Sequence, residues 1–330
     1  MTIKIGVIGT GSMGKNHARV CAELPNVELV GIADVDGAMV KKIAQRFDVP
    51  TYTDYKELLP YIDAAIVATP TITHHTIASE LIDDGKHILV EKPVCNTVEK
   101  GQQLISKADD KGVVFAVGHI ERHNPVVSFM KKALDSGQFG DLVALNSKRV
   151  SNFPGRIRDV GVIFDFGVHD IDIMRYISGE VTSVYAKAGR FNKKINYEDH
   201  ATIMLNFEKE ICGVIEVNWL TPTKIRKFSL TCENSFVEAD FIEQSVETSS
   251  SSFQHVDEQN LFDISIKSQI TKMILQKREP LKNEIEDFLY SINKNTKPLV
   301  TGYDGLMAVK IAEAAVRSAK TNEVISINDS

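Results

Sequence analysis

Cysteine is scarce in this chain and scattered: positions 21, 95, 212 and 232 form no Cys-x-x-Cys pair and no dense framework. That spacing argues against a disulfide scaffold or a zinc site, and leaves a reduced, cytoplasmic protein as the expectation. Long apolar runs are missing as well. No stretch approaches the ~18 residues of a spanning helix, and the opening MTIKIGVIGTG enters a strand-like pattern without the charged and apolar regions of an export signal. A membrane is therefore not an expected partner. Nor is positive charge in surplus: 38 Lys and Arg face 44 Asp and Glu, a formal net charge of −6. Such a chain has no electrostatic footprint for a polyanion, so nucleic acid is not an expected partner. No cluster of His, Cys and carboxylates suggests a metal.

What is present is an ordinary globular composition, 43% hydrophobic and 25% charged, in 330 residues. That length exceeds what one core usually fills, which predicts two domains. Apolar runs at 3–8, 27–34, 64–69, 87–91 and 113–118 alternate with helical patterns, Met13–Leu24, Met39–Phe47, His74–Asp84 and Thr97–Lys111. This rhythm predicts a parallel, doubly wound α/β sheet over residues 1–120. Beyond residue 120 strands follow one another with few helices between them, predicting an α+β domain over 121–330 built on an open, mostly antiparallel sheet. A helix near 126–136 precedes that sheet and another, 167–177, interrupts it. The serine-rich SVETSSSSFQ (245–254) reads as a mobile loop, with an edge strand as the other reading. Two amphipathic helices, 281–293 and 305–320, close the chain.

Gly9-Thr-Gly11-Ser12-Met13-Gly14 directly follows the first strand and opens the first helix. The first glycine permits a tight turn, the second lets backbone approach a pyrophosphate, and the third allows close helix–strand packing, while the helix N-terminus offers free N–H groups. Asp34 ends the next strand, where a carboxylate can accept hydrogen bonds from ribose hydroxyls and repel a 2′-phosphate. NAD is thus predicted over NADP, with Asp36 a nearby competitor for that role. Thr69 and Pro70 fall at the carboxyl edge of the third strand, where ligands bind in such sheets. His74 and His75 follow, either facing the cofactor or simply beginning a helix.

The fourth strand ends in Glu91-Lys92-Pro93. An ammonium at that edge can stabilise a developing alkoxide and relay its proton. The proline confines Lys92 to extended backbone, and the Lys-Pro bond is a candidate for the cis form. The second constellation is Asp165-Phe-Gly-Val-His169-Asp-Ile-Asp172, opening a helix whose apolar Ile171, Met174 and Ile177 have helical spacing and whose end is marked by Ser178-Gly179. In a first helical turn His169 would feel the positive end of the helix dipole, which disfavours imidazolium and keeps the ring available as a base. Asp165 could cap the helix or meet a substrate.

GTGSMG at 9–14, ADVD at 33–36, ATP at 68–70, EKP at 91–93 and the D-x-x-x-H of Asp165 and His169 together resemble the Gfo/Idh/MocA oxidoreductases in order and spacing, over essentially the whole chain. The resemblance implies a Rossmann domain followed by an open sheet that commonly mediates oligomerisation, here as a homodimer or homotetramer. It also implies Lys92, Asp165 and His169 as the catalytic group, with His169 the general acid/base, in hydride transfer between NAD and a sugar carbon. Within the family, GHIERHNPVV, RVSNFPGRIRDVGVIFDFGVHDIDIMRY and NWLTPTKIRK most resemble the archaeal-type UDP-N-acetylglucosamine 3-dehydrogenases, which implies oxidation at C3 of that sugar.

A nucleotide-sugar needs cations for its diphosphate and an apolar shelf. Arg149, Arg156, Arg158, Lys224 and Arg226 are candidates for the first, and Trp219 for the second. Each also has a plainer reading, a solvated basic face for the cations and a core position for the tryptophan. Arg122 and Asn124, just past the last Rossmann strand, could orient the nicotinamide or the sugar, or merely bond across a hinge. His123 stands where the family often has an aromatic. The rivals are a myo-inositol or simple-sugar dehydrogenase of the same family and a non-catalytic NAD-binding regulator.

Overall fold

The structure, a computed structural model, describes residues 2–155, 160–256 and 264–327. Its elements begin with β1 (Ile3–Ile8), α1 (Gly14–Glu23), β2 (Val27–Ala33), α2 (Gly37–Ala44), β3 (Thr51–Tyr52), β4 (Ala64–Val67), α3 (Thr71–Asp83), β5 (His87–Glu91), α4 (Val98–Lys111) and β6 (Phe115–Gly118). There follow α5 (Pro125–Asp135), β7 (Leu142–Asn152), α6 (Val168–Ser178), β8 (Val181–Gly189), β9 (His200–Phe207), β10 (Cys212–Asn218) and β11 (Leu220–Cys232). The last are β12 (Phe236–Asp240), β13 (Ser245–Val256), β14 (Ile264–Ile274), α7 (Pro280–Lys294), α8 (Gly302–Thr321) and β15 (Ile325–Ser326). The chain divides into two compact units, residues 1–123 with 279–310 and residues 124–278 with 311–330.

The first unit is a six-stranded parallel sheet in the order β3-β2-β1-β4-β5-β6, the order of a dinucleotide-binding Rossmann fold. Every residue of β4 is buried, as expected of a parallel strand covered on both faces. The core joins Ile3, Ile5 and Val7 of β1 to Ala18 and Val20 of α1 and to Leu281, Ile285, Phe288 and Leu289 of α7. Fully burying one such large side chain contributes about 1.5–3 kcal/mol. The sequence reading ended this domain at residue 120; the structure also returns residues 279–310 to it. The reason is the apolar stripe at 281, 285, 288 and 289, whose helical spacing gives α7 one face for the sheet.

The second unit carries nine strands in the order β14-β13-β12-β11-β7-β10-β9-β8-β15. Among the described residues only the β7–β10 pair is parallel. Burial alternates along β9, with Ala201, Ile203, Leu205 and Phe207 inward and Met204 outward. Helix α6 packs on β7 and β10. Gly213 permits that approach, since a Cβ there would lie 2.6 Å from the Met174 sulfur. The serine-rich segment is a correction. It is strand β13, paired with β14 along its length and with β12 over Ser245–Ser249, so it is not a loop and is open on one side only past Ser249. Serine composition suggested a loop, but the segment has neither glycine nor proline to break pairing, and two neighbouring strands override weak local propensity.

Candidate active site

In the first unit the turn after β1 is shaped by its glycines. Gly9 has φ +94°, and a Cβ on it would stand 2.6 Å from the Ala68 carbonyl oxygen. A Cβ on Gly14 would overlap the Gly9 carbonyl, whereas one on Gly11 would meet nothing within 4 Å. Gly9 and Gly14 therefore satisfy packing, and Gly11 leaves open space where a phosphate can approach the backbone. Asp34 is fixed beside them: its Oδ2 accepts from the Thr10 N–H and hydroxyl, each at 2.6 Å, and its Oδ1 from the Asp36 N–H at 2.9 Å. Burial tends to raise the Asp34 pKa, but these hydrogen bonds outweigh it and hold the carboxyl below its ordinary value. Asp36 is instead the N-cap of α2, accepting from the Ala38 and Met39 N–H groups.

Gly9, Gly11, Asp34, Thr69 and Pro70 line one cleft of about 970 Å³, together with Val35, Tyr55 and Ile72. The last three were not expected. Val35 and Ile72 are apolar yet 92% and 72% exposed, and Tyr55 is oriented by its hydroxyl donating to Glu80 at 2.5 Å. Strand β3 is only two residues long and the turn after it has no period, so nothing in the local pattern marked Tyr55.

The Lys92–Pro93 bond is cis. Beneath it Glu91 is buried and hydrogen-bonded to Nε2 of His17 at 2.7 Å, and its other oxygen accepts from the Lys92 N–H at 3.2 Å. Burial works to raise the Glu91 pKa, but His17 and Lys92 bring it below the ordinary carboxylate value. Glu284 of α7 is also buried, and neither carboxyl oxygen has a hydrogen-bond partner among the described residues. Burial first, and the charges of Glu91 and Asp287 second, push its pKa well up. His74 lies buried, its Nε2 2.8 Å from the Thr69 carbonyl and its Nδ1 2.9 Å from that of Pro93, tying the end of β4 to the Lys92–Pro93 turn. Burial lowers its pKa against the pull of both carbonyls.

In the second unit Asp165 lies in a π-helical turn, Ile163–Gly167, that runs directly into α6. Such turns widen the helix locally and are frequent at functional sites. Asp165 is buried, and His169 is half-buried four residues on. This corrects one expectation: His169 is not at a helix start, because helical backbone already begins at Val162. The positive end of the dipole lies near Ile163. Glu198, not anticipated, holds that end: its Oε1 accepts from the Ile163 N–H at 3.2 Å and its carbonyl from the Val162 N–H at 3.0 Å. A Cβ on Gly161 would overlap the Glu198 carboxyl. Burial raises the Glu198 pKa.

The structure gathers only part of the expected substrate group around this turn. The Arg226 guanidinium stacks over the Phe166 ring at 4.4 Å, and buried Trp219 meets Phe166 and Phe153 edge-on at 6.3 and 5.5 Å. Arg149 is buried, its fork closed on Asp170 at 2.8 and 3.0 Å. Arg122 bonds Asp304 at 3.0 Å and the Leu299 carbonyl, and Asn124 caps α5 and donates to the Phe241 carbonyl. These are anchoring contacts within their own units. Arg156 and Arg158 lie outside the described residues.

Residues 3–119 match the oxidoreductase family with an NAD-binding Rossmann fold, and residues 127–238 match the GFO/IDH/MocA C-terminal domain. The chain belongs to the GFO/IDH/MocA oxidoreductase family. As a GFO/IDH/MocA protein it is similar to the UDP-N-acetylglucosamine 3-dehydrogenase of Acidithiobacillus ferrooxidans, at 25% identity over 96% of each chain. It is equally similar to an inositol 2-dehydrogenase of Rhizobium meliloti, at 27% identity over 99% of this chain and 100% of that one. Its fold matches a crystal structure of an oxidoreductase from Agrobacterium radiobacter in complex with NAD+, L-tartaric acid and magnesium, with TM-score 0.88, 18% identity, and 100% and 99% of the two chains covered. The first unit is thus an NAD-binding domain, and the glycine cradle, the open space at Gly11 and the fixed Asp34 carboxylate fit that cofactor.

Proposed function

We propose that this GFO/IDH/MocA protein oxidises a ring hydroxyl of a sugar to a ketone with NAD, and that the sugar is UDP-N-acetylglucosamine, reacting at C3. NAD supplies the hydride acceptor. In this reading His169 removes the hydroxyl proton, the Lys92 ammonium stabilises the oxygen as charge builds on it, and Asp165 orients the substrate or the lysine. The observation that carries the nucleotide-sugar reading is the grouping of Arg226, Phe166 and Trp219 against the Asp165 turn, a cation and aromatic cluster that a free polyol does not need. The similarity to inositol dehydrogenases keeps myo-inositol as the second reading.

The four cysteines form no disulfide and suit a reducing cytoplasm, where we place the enzyme. Met204, Phe236, Ile270 and Ile274 are exposed, and strand register sets them on one face of the second unit's sheet. We infer that copies of the chain associate there as a homodimer or homotetramer. The test of function follows NADH absorbance on mixing protein and NAD with UDP-N-acetylglucosamine, myo-inositol or glucose. Production of NADH from UDP-N-acetylglucosamine alone supports the reading; from myo-inositol alone, the second reading replaces it.

A further inference from the structure

We propose that a cavity in the second unit, bounded by Phe153, Tyr197 and Trp219, is the subsite for the uridine diphosphate half of the substrate, with the pyrimidine against the aromatic rings and the phosphates drawn to Lys194 and Arg226. The inference rests on the nucleotide-sugar reading and adds to it Asn192, Lys194, Asn196 and Tyr197, which lie outside every sequence motif.

The cavity measures about 460 Å³, within the ~300–1,000 Å³ of small-molecule sites. Its aromatic lining is unequally buried: Trp219 is 3% exposed, while Phe153 and Tyr197 are 37% and 39% exposed. Rings left open around a buried indole offer stacking faces to a ligand. The Trp219 Nε1–H is buried without a hydrogen-bond partner among the described residues, an arrangement that an acceptor on a ligand would relieve. Asn192 and Asn196 also line the cavity. A carboxamide carries a donor and an acceptor in one plane, matching the alternating C=O and N–H edge of uracil. The Asn192 carbonyl oxygen accepts from the Lys194 N–H at 3.0 Å, which turns its NH2 into the group left for a base carbonyl.

Charge favours a phosphorylated ligand over a bare nucleoside. Lys194 is exposed at the cavity and forms no ion pair among the described residues. Arg226 lies one ring away on Phe166, which touches Trp219. The lining contains neither Asp165 nor His169, so the cavity suits the part of a substrate that does not react, while the Trp219–Phe166 contact keeps it beside the turn that carries them.

Trp219 is the chain's single tryptophan, so indole emission reports on the surroundings of this one side chain. The full-length protein, without NAD, is titrated with UDP, uridine, N-acetylglucosamine and myo-inositol under selective indole excitation. UDP is expected to change the emission saturably, uridine to bind about tenfold more weakly for want of a charge-assisted contact, and the two sugars to leave it unchanged. Tyr197→Ala and Lys194→Ala should each weaken UDP by about tenfold with the melting temperature unmoved. No saturable response to UDP, or a response to N-acetylglucosamine in its place, overturns the proposal even if both variants misfold. Turnover separates it from the reading it rests on: UDP-N-acetylglucosamine oxidised while UDP leaves Trp219 silent refutes only the cavity, whereas UDP bound at Trp219 without turnover of the nucleotide-sugar refutes only the substrate.

Discussion

The turn after β1 is held in shape by groups its residues do not have: Gly9, Gly11 and Gly14 leave room for a carbonyl, for a ligand and for each other. The turn before α6 is held by groups brought from far along the chain. Glu198 arrives from the segment before β9 to hold Val162 and Ile163, and Arg149 from β7 to clamp Asp170. A backbone device of this kind is written in six consecutive residues, while a side-chain device needs the tertiary fold before it exists. The first therefore tolerates change around it but not at its packed glycines, and the second can be loosened from a distance.

The largest effects test whether both units contribute to one reaction. Lys92→Ala and His169→Ala are each expected to lower turnover by about 10²–10⁴-fold, the usual scale for a lost acid–base group, with NAD affinity kept in a fluorescence titration; trace activity unchanged in both would remove them from the chemistry. Next, the glycines separate packing from binding. Gly14→Ala should cost about 1–3 kcal/mol of stability through overpacking against the Gly9 carbonyl. Gly11→Ala should melt like the parent yet bind NAD about tenfold more weakly; equal melting of the two variants would break the contrast.

Glu198→Ala probes the side-chain device. Losing one backbone hydrogen bond should lower kcat by about tenfold, and Glu198→Gln, which keeps the acceptor, should restore it; a Gln variant as slow as the Ala one would deny the holding role. The smallest effect concerns Glu284, whose pKa folding raises. Such a carboxyl lends its stability in full below the unfolded value of about 4.3 and loses it as pH climbs from there through the folded value. Glu284→Gln should accordingly melt about 2–4 °C higher than the parent at neutral pH and the same as the parent near pH 4. A lower melting temperature at neutral pH would mean that Glu284 has a partner it needs.

Legibility followed the same division. Five of the six parallel strands and the cofactor turn could be read because apolar runs, glycine spacing and the acid at 34 are local signals, whereas the two-residue β3 has no pattern to read; the stop at Gly179 was marked by a glycine whose φ is positive, +94°. The π-turn could not be read, since one extra residue per turn leaves no trace in a short pattern, and so the dipole was assigned to His169 when it begins near Ile163. His17, Tyr55, Glu198 and Glu284 went unseen because each matters through a partner distant in sequence. For the arginines, charge was legible but destination was not: Arg149 and Arg226 look alike in the chain, yet one closes on a buried carboxylate and the other lies on a ring.

The apolar stripe of α7 sets an order of events during synthesis. The core of the first unit is complete only when Leu281, Ile285, Phe288 and Leu289 reach β1 and α1. At about 5–20 residues per second the ribosome needs roughly ten to thirty seconds between residue 123 and residue 289. Through that interval the nascent Rossmann sheet has one uncovered greasy flank, and the second unit, which needs residues 311–330, closes later still.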